Sequence, residues 1–99
     1  MTTKPGKIAI ENVLQPGKTY NVDAARFTAM RDAVLASLPA AQPGMTVTEL
    51  KQAALTHLPE SLFPGGEKAG WWIKAVQLDL EAKGQIARAA TPPVRLYRI

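Results

Sequence analysis

The chain has no cysteine and a single histidine among its 99 residues. The absence of cysteine excludes disulfides and thiolate metal ligands, and it fits a reducing, cytosolic setting. With His57 as the sole imidazole, the sequence offers no cluster of nitrogen, sulfur and carboxylate ligands at metal-binding spacing. We therefore predict neither a metal site nor a cofactor.

Long hydrophobic runs are also missing. No apolar stretch approaches the roughly 18 residues of a membrane span, and residues 1–7 lack the apolar core of a signal peptide. No internal repeat or low-complexity segment is present. Apolar residues make up 46% of the chain and charged residues 20%, which is the composition of one globular domain. These features predict a cytoplasmic protein with no membrane partner.

Residues that commonly catalyse reactions are scarce. His57 lies at the end of an amphipathic stretch, where partial positive charge is favourable next to a helix dipole. Asp79 and Glu81 are two residues apart on a predicted helix and do not face each other. The run Gly65-Gly66-Glu67-Lys68 lacks the leading glycine and the Ser or Thr of a phosphate-binding loop. We predict that the protein is not an enzyme, and no small-molecule substrate is evident.

Basic residues exceed acidic ones, giving a net charge of +4 and a pI near 9.7. The excess lies in residues 1–22 and 67–99, so the two ends would form one basic face if they are close together. A basic face attracts polyanions such as nucleic acids. The same charge also keeps a small protein soluble, so both interpretations stay open.

The first helix is predicted to begin after Asp23, whose carboxylate can accept hydrogen bonds from the amides of the first turn. Val22 and Phe27 have the spacing of a hydrophobic staple, and Pro39 ends the helix. Residues 1–22 are predicted to form an N-terminal arm that packs on a domain of residues 23–99. The candidate contacts of the arm are Ile8, Ile10, Val13, Leu14 and Tyr20.

The second helix begins with a capping box. Thr46 can accept a hydrogen bond from the amide of Glu49, and the Glu49 side chain can reach back to the amide of Thr46. Met45 and Leu50 form the matching staple, and Pro59 closes the segment.

The third helix is apolar on two opposite sides of the helical wheel. The first side carries Ala69, Trp72, Ile73, Val76, Leu80 and the stem of Lys83. The second side carries Trp71, Ala75, Leu78 and Ala82. Lys74, Gln77 and Glu81 fill one narrow gap between the two sides, and Asp79 lies in the other. Gly84 suits the left-handed position that follows a helix.

Two short strands are predicted after Gly84, over residues 85–88 and 94–99, with Thr91-Pro92-Pro93 at the turn between them. Three helices followed by a C-terminal β-hairpin is the element order of a winged helix-turn-helix. The predicted fold is therefore mainly α with a small β component: three helices, a hairpin wing and the N-terminal arm, within a single domain.

The chain resembles a family of small uncharacterised bacterial proteins. The resemblance rests on Asn12-Val13…Pro16-Gly17, Leu38-Pro39, Leu58-Pro59, Phe63-Pro64-Gly65-Gly66 and the block from Trp71-Trp72 to Gly84. It covers nearly the whole chain but implies no activity. The third helix and wing are more loosely similar to winged-helix modules of restriction endonucleases and transcription regulators. That similarity implies a fold, and function does not follow from fold alone.

The first functional hypothesis is binding to double-stranded DNA, with the third helix in the major groove and the wing on the backbone. The candidate groove-facing residues are Lys68, Lys74 and Gln77. The candidate phosphate contacts are Lys83, Arg88, Arg95 and Arg98. The helix offers little for base reading beyond Gln77, and exposed carboxylates at Asp79 and Glu81 would repel phosphates. In the alternative, these are solvated charges on a small basic domain.

The second hypothesis is protein association, as a homodimer, without DNA binding. The candidate interface is the second apolar side of the third helix, formed by Trp71, Ala75, Leu78 and Ala82. An uncovered tryptophan and leucine side by side would form an apolar patch of the kind that marks interfaces. The N-terminal arm could also cover this side within one chain.

Overall fold

The N-terminal segment folds into a β-hairpin. The structure is a computed structural model that describes residues 6–90 and 92–99. Strands β1 (Lys7–Glu11) and β2 (Thr19–Asp23) pair antiparallel, with Ile8 opposite Val22 and Ile10 opposite Tyr20. Residues 1–5 of the predicted arm, and Thr91 of the predicted turn, lie outside the described residues. The run Lys7-Ile8-Ala9-Ile10 of the predicted arm favours a short strand, which corresponds to β1. Strand β2 was not predicted, because it has only two apolar residues and no clear start.

The first two helices begin where their caps predict. Helix α1 (Ala24–Ser37) starts at Asp23, whose carboxylate accepts a hydrogen bond of 2.9 Å from the amide of Arg26. Helix α2 (Val47–Leu55) starts with the capping box of Thr46 and Glu49, and both of its reciprocal bonds are present. These interactions are local, and for that reason the sequence could predict them.

A turn of 3-10 helix (Pro64–Gly66) leads into helix α3 (Ala69–Ala82). Lys68, directly before α3, adopts a left-handed backbone with a φ of 60°, and it provides no side-chain cap. After the helix, Gly84 takes the predicted left-handed position with a φ of 72°. The third helix therefore ends where the sequence predicts.

The C-terminal hairpin belongs to a three-stranded antiparallel sheet. Its strands are β3 (Met45–Thr46), β4 (Ile86–Arg88) and β5 (Arg95–Arg98), in the order β3-β5-β4. Met45 pairs with Leu96, and Ala87 pairs with Tyr97. The predicted hairpin is present, whereas β3 was not predicted because two residues have no periodicity to detect.

The core lies between the three helices and the three-stranded sheet. Trp72 of α3 packs edge-on against Phe63, with ring centroids 6.3 Å apart. The fully buried large apolar side chains are Phe27, Met30, Val34, Leu38, Leu50, Ile73, Val76, Leu80, Ile86 and Leu96. The described residues thus form a compact mixed α/β fold with three helices and two small antiparallel sheets. None of the helices in this part of the chain is long and apolar enough to cross a lipid bilayer.

Candidate interaction surface

Helix α3 is covered on both of its apolar sides, but unequally. The first side is buried in the core, as the helical wheel predicts: Ile73, Val76 and Leu80 are almost inaccessible. The second side faces the β1–β2 hairpin, which packs on α3 as well as on α1. Leu78 is buried there and Ala75 and Ala82 are half-buried, whereas Trp71 stays exposed.

Two hydrogen bonds fasten the hairpin to α3. The amide of Val13 donates to the carbonyl oxygen of Leu78 at 3.2 Å. The amide of Glu11 donates to Oδ1 of Asp79 at 2.8 Å. The other carboxylate oxygen of Asp79 accepts a bond of 2.9 Å from Nζ of Lys83. These bonds hold the hairpin against α3 at Leu78 and Asp79.

Asp79 is fully buried. The sequence placed it in a polar gap, where an exposed carboxylate would repel phosphates. The prediction that Asp79 is exposed is wrong, because the hairpin covers the gap and the backbone amide of Glu11 donates to the carboxylate. Buried carboxylates are rare unless they are paired and hydrogen-bonded, and Asp79 is both.

The uncovered part of the second side forms a groove of about 410 Å³ between the hairpin and α3. The hairpin contributes Ile10, Glu11, Asn12, Tyr20, Asn21 and Val22. Helix α3 contributes Trp71, Lys74, Ala75 and Leu78. Its centre is apolar, and its volume lies within the range of about 300–1,000 Å³ typical of binding pockets.

Two aromatic side chains stand at the groove with much of their surface in solvent. Trp71 is 59% exposed and its indole packs edge-on against Trp72, with centroids 5.0 Å apart. Tyr20 is 44% exposed, and its hydroxyl donates to Oε1 of Gln15. Each of the two residues thus has a contact within its own chain and keeps a large exposed surface at the groove.

Gln77, the candidate for base reading, lies in the interior. Its side chain is fully buried and Nε2 donates to Oε2 of Glu81 at 3.1 Å. Its Oε1 has no hydrogen-bond partner among the described residues. The prediction that Gln77 faces a DNA groove is therefore wrong. Both apolar sides of α3 are covered, and the narrow polar gap between them is closed at Gln77.

Arg88, a predicted phosphate contact, forms a two-point ion pair with Glu81. Its Nε and Nη2 atoms lie 2.7 and 2.9 Å from the two carboxylate oxygens. Burial alone would raise the pKa of Glu81, but hydrogen bonds from Arg88 and Gln77 outweigh burial and lower that pKa. The same pair raises the pKa of Arg88. This guanidinium is thus committed to a carboxylate of its own chain.

The other predicted phosphate contacts also have partners within the chain, which are carboxylates for Lys83 and Arg95 and a neutral carbonyl for Arg98. Lys83 is paired with Asp79, and Nε of Arg98 donates to the Leu38 carbonyl at 2.9 Å. Nη1 of Arg95 lies 3.9 Å from a carboxylate oxygen of Glu49. The pKa of Glu49 is lowered mainly by the hydrogen bond that its carboxylate accepts from the backbone amide of Thr46. Residues 89–94 of the wing carry no charge. The wing therefore presents fewer available cations than the sequence suggested.

Lys68 and Lys74 remain exposed, and neither has an ion-pair partner among residues 6–90 and 92–99. They flank Trp71 in sequence. Of the seven residues predicted for DNA binding, Arg98 likewise has no acidic partner in the described ranges, since it bonds to a neutral carbonyl oxygen. Lys74 is the one of these three cations that lines the groove.

No group of three or more metal-ligating side chains occurs in the part of the chain that the structure describes. His57 is exposed in the turn after α2. The hairpin walls of the groove were not predicted. The alternation of Ile8 with Ile10, and of Tyr20 with Val22, was the signal that could have indicated two paired strands.

Residues 7–96 match a family of unknown function, DUF6958, and the chain belongs to that family. This confirms the predicted membership in an uncharacterised family of small proteins. The match does not extend to winged-helix proteins, so that part of the resemblance stays a prediction. Comparisons with curated proteins and with solved structures gave no match.

Proposed function

We propose that this protein is a self-association module of winged-helix type, in which α3 binds a second copy of the chain instead of reading DNA bases. The observation that carries the proposal is the exposure of Trp71 at the mouth of an apolar groove. Tryptophan is enriched among the residues that dominate binding energy at interfaces. Exposed apolar patches of this kind mark interaction sites in soluble proteins.

The winged-helix part of the proposal is supported by topology. From α1 onward the order of elements is helix, short strand, helix, helix and hairpin. The short strand β3 pairs with β5 and thereby joins the C-terminal hairpin into one sheet. Helix α3 directly precedes the hairpin, as a recognition helix precedes its wing.

The position of the hairpin argues against base reading by α3. A recognition helix must insert its outer face into the major groove. Here the β1–β2 hairpin is bonded to Leu78 and Asp79 in the middle of the helix. Gln77 is buried, and the first turns expose an indole beside two lysines, with no arginine or asparagine on α3 for base contacts. This surface suits protein binding better than base recognition.

We expect the wild-type chain to sediment as a monomer–dimer equilibrium and Trp71→Lys to shift it to monomer. Loss of an interface anchor costs at least about 2 kcal/mol, so the dimer Kd should rise roughly 30-fold or more. Sedimentation velocity over a concentration series measures both proteins. The control is Val94→Lys, which changes another exposed apolar residue away from the groove and should associate as the wild type does. Wild-type chain that stays monomeric at high micromolar concentration contradicts the proposal.

A second candidate function is weak, sequence-independent binding to DNA. It is favoured by the net charge of +4 and by Lys68, which is exposed and has no ion-pair partner among the described residues. We expect affinity for duplex DNA to fall linearly with salt on a log–log plot, with no preference among sequences. Removing one phosphate contact with Lys68→Ala should reduce the slope by about 0.9. A slope near zero, or no binding at low salt, excludes this function.

A further inference from the structure

The groove beside Trp71 contains two charged side chains of opposite sign, one on each wall. Glu11 lies at the end of β1, and Lys74 lies on α3 one turn after Trp71. Both are exposed, and no ion pair joins them to each other or to another residue in the described ranges. The other eight lining residues are uncharged.

The charged groups nearby have partners of their own. Asp79, which binds the Glu11 amide, is paired with Lys83. Glu81, whose pKa is lowered in part by the charge of Lys74, is paired with Arg88. Among the residues that line the groove, the carboxylate of Glu11 and the ammonium of Lys74 are therefore the charges available to a partner.

We propose that two copies of the chain associate across a two-fold axis, with Glu11 of each protomer paired to Lys74 of the partner subunit. This inference rests on the proposed self-association. In a two-fold interface a contact between two residues occurs twice, with their roles exchanged. A surface with one acidic and one basic wall is complementary to itself under that symmetry, so each dimer gains two ion pairs.

A stable interface must bury more surface than Trp71 provides. The contact should therefore include the hairpin, and with it Glu11. A buried tryptophan contributes about 150–250 Å², whereas a standard interface buries roughly 800 Å² on each partner. The indole of Trp71 is therefore insufficient alone. The hairpin forms the other wall of the groove beside Trp71. It carries the exposed ring of Tyr20 on the same wall as Glu11.

Local charge also favours a second copy over an unrelated acidic partner. A strongly acidic partner would pair with Lys74 but would bring its other carboxylates against Glu11, and like charges at an interface are costly. A second copy satisfies both residues. It also meets no local repulsion in the groove, although each chain carries a net charge of +4.

The test is a charge exchange between two variants, Glu11→Lys and Lys74→Glu. Each variant alone places like charges together twice per dimer and should raise the Kd on the order of tenfold or more. Mixed in equal amounts, they should associate, since every contact in the heterodimer joins opposite charges. Sedimentation at low salt, with one variant carrying a fluorophore, measures the heterodimer. Thermal unfolding followed by circular dichroism establishes that each variant is folded.

The matched controls are Lys18→Glu and Asp32→Lys, which make the same changes in net charge at exposed positions that do not line the groove. Both should associate as the wild type does. If the single variants associate normally, or if their mixture fails to restore association, the ion pair and its symmetry are wrong while self-association through Trp71 stands. If the wild-type chain is monomeric at every concentration, the inference and the proposed function both fail.

Discussion

Replacing Gly44 with alanine is expected to destabilise the protein by more than about 4 kcal/mol, a large share of the 5–15 kcal/mol of a typical domain. A Cβ at this position would lie 2.0 Å from the carbonyl oxygen and 2.5 Å from the carbonyl carbon of Leu96. Both atoms belong to the backbone of β5 and cannot rotate away. The backbone at Gly44 is also left-handed, with a φ of 89°, which a residue with a side chain rarely adopts.

The consequence should spread beyond the site of substitution. Gly44 directly precedes β3, whose residue Met45 pairs with the fully buried Leu96 at the centre of the three-stranded sheet. To admit a methyl group, β3 must separate from β5, and the start of α2 moves with it because Thr46 is both a strand residue and the helix cap.

Urea unfolding measures this effect, and Gly17→Ala is its matched control. Gly17 has nearly the same φ, 87°, but a Cβ there would meet nothing within 4 Å. The control should therefore show only the backbone penalty of about 1–2 kcal/mol. Equal losses of stability in the two variants would mean that the close approach of Gly44 to Leu96 does not matter.

The parts of the fold that could be predicted from the sequence are those specified by neighbouring residues. Asp23 caps α1 through the amide of Arg26, three residues away, and Thr46 and Glu49 form their capping box over the same distance. The apolar period of α3 predicted which residues enter the core. Each of these features needs only a short stretch of chain to be recognised.

The parts that could not be predicted depend on residues far apart in the chain. The bond from the Glu11 amide to Asp79 joins positions 68 residues apart. Nothing local to Asp79 reveals that a hairpin will cover it, and the helical wheel therefore placed it among polar surface residues. Strand β3 likewise could not be predicted, because its two residues form a strand only through their pairing with β5.

The candidate site lies between these two cases. The period of α3 revealed a second apolar side and raised the question of what covers it. The hairpin covers the middle of that side, at Leu78, and leaves Trp71 open. The open part of this second side is the part that the hairpin does not reach, given the length of β1 and the positions at which Glu11 and Val13 bond to the helix. The helical wheel placed Trp71 on this second side, whereas nothing in the sequence indicated the groove beside it.

Asp79→Ala is expected to cost about 3 kcal/mol and to loosen the N-terminal hairpin before the rest of the fold. Removing one partner of a buried ion pair typically costs about 3–5 kcal/mol. The lower end applies because the side chain of Lys83 is 34% exposed and can turn its ammonium to water. The remaining loss comes from the Glu11 amide, which is left without its acceptor.

Asp79→Asn separates these two contributions, since an amide oxygen can still accept from Glu11 while the charge opposite Lys83 is lost. We expect it to cost about 1–2 kcal/mol less than the alanine variant. Hydrogen exchange supplies the local measurement: in Asp79→Ala the amides of Glu11 and Val13 should lose protection more than those of α1. The control Asp32→Ala removes an exposed acid of α1 and should change stability by less than about 1 kcal/mol. Uniform loss of protection across the chain would show that Asp79 supports the whole core, whereas selective loss would identify it as the residue that holds the hairpin, and hence one wall of the groove, against α3.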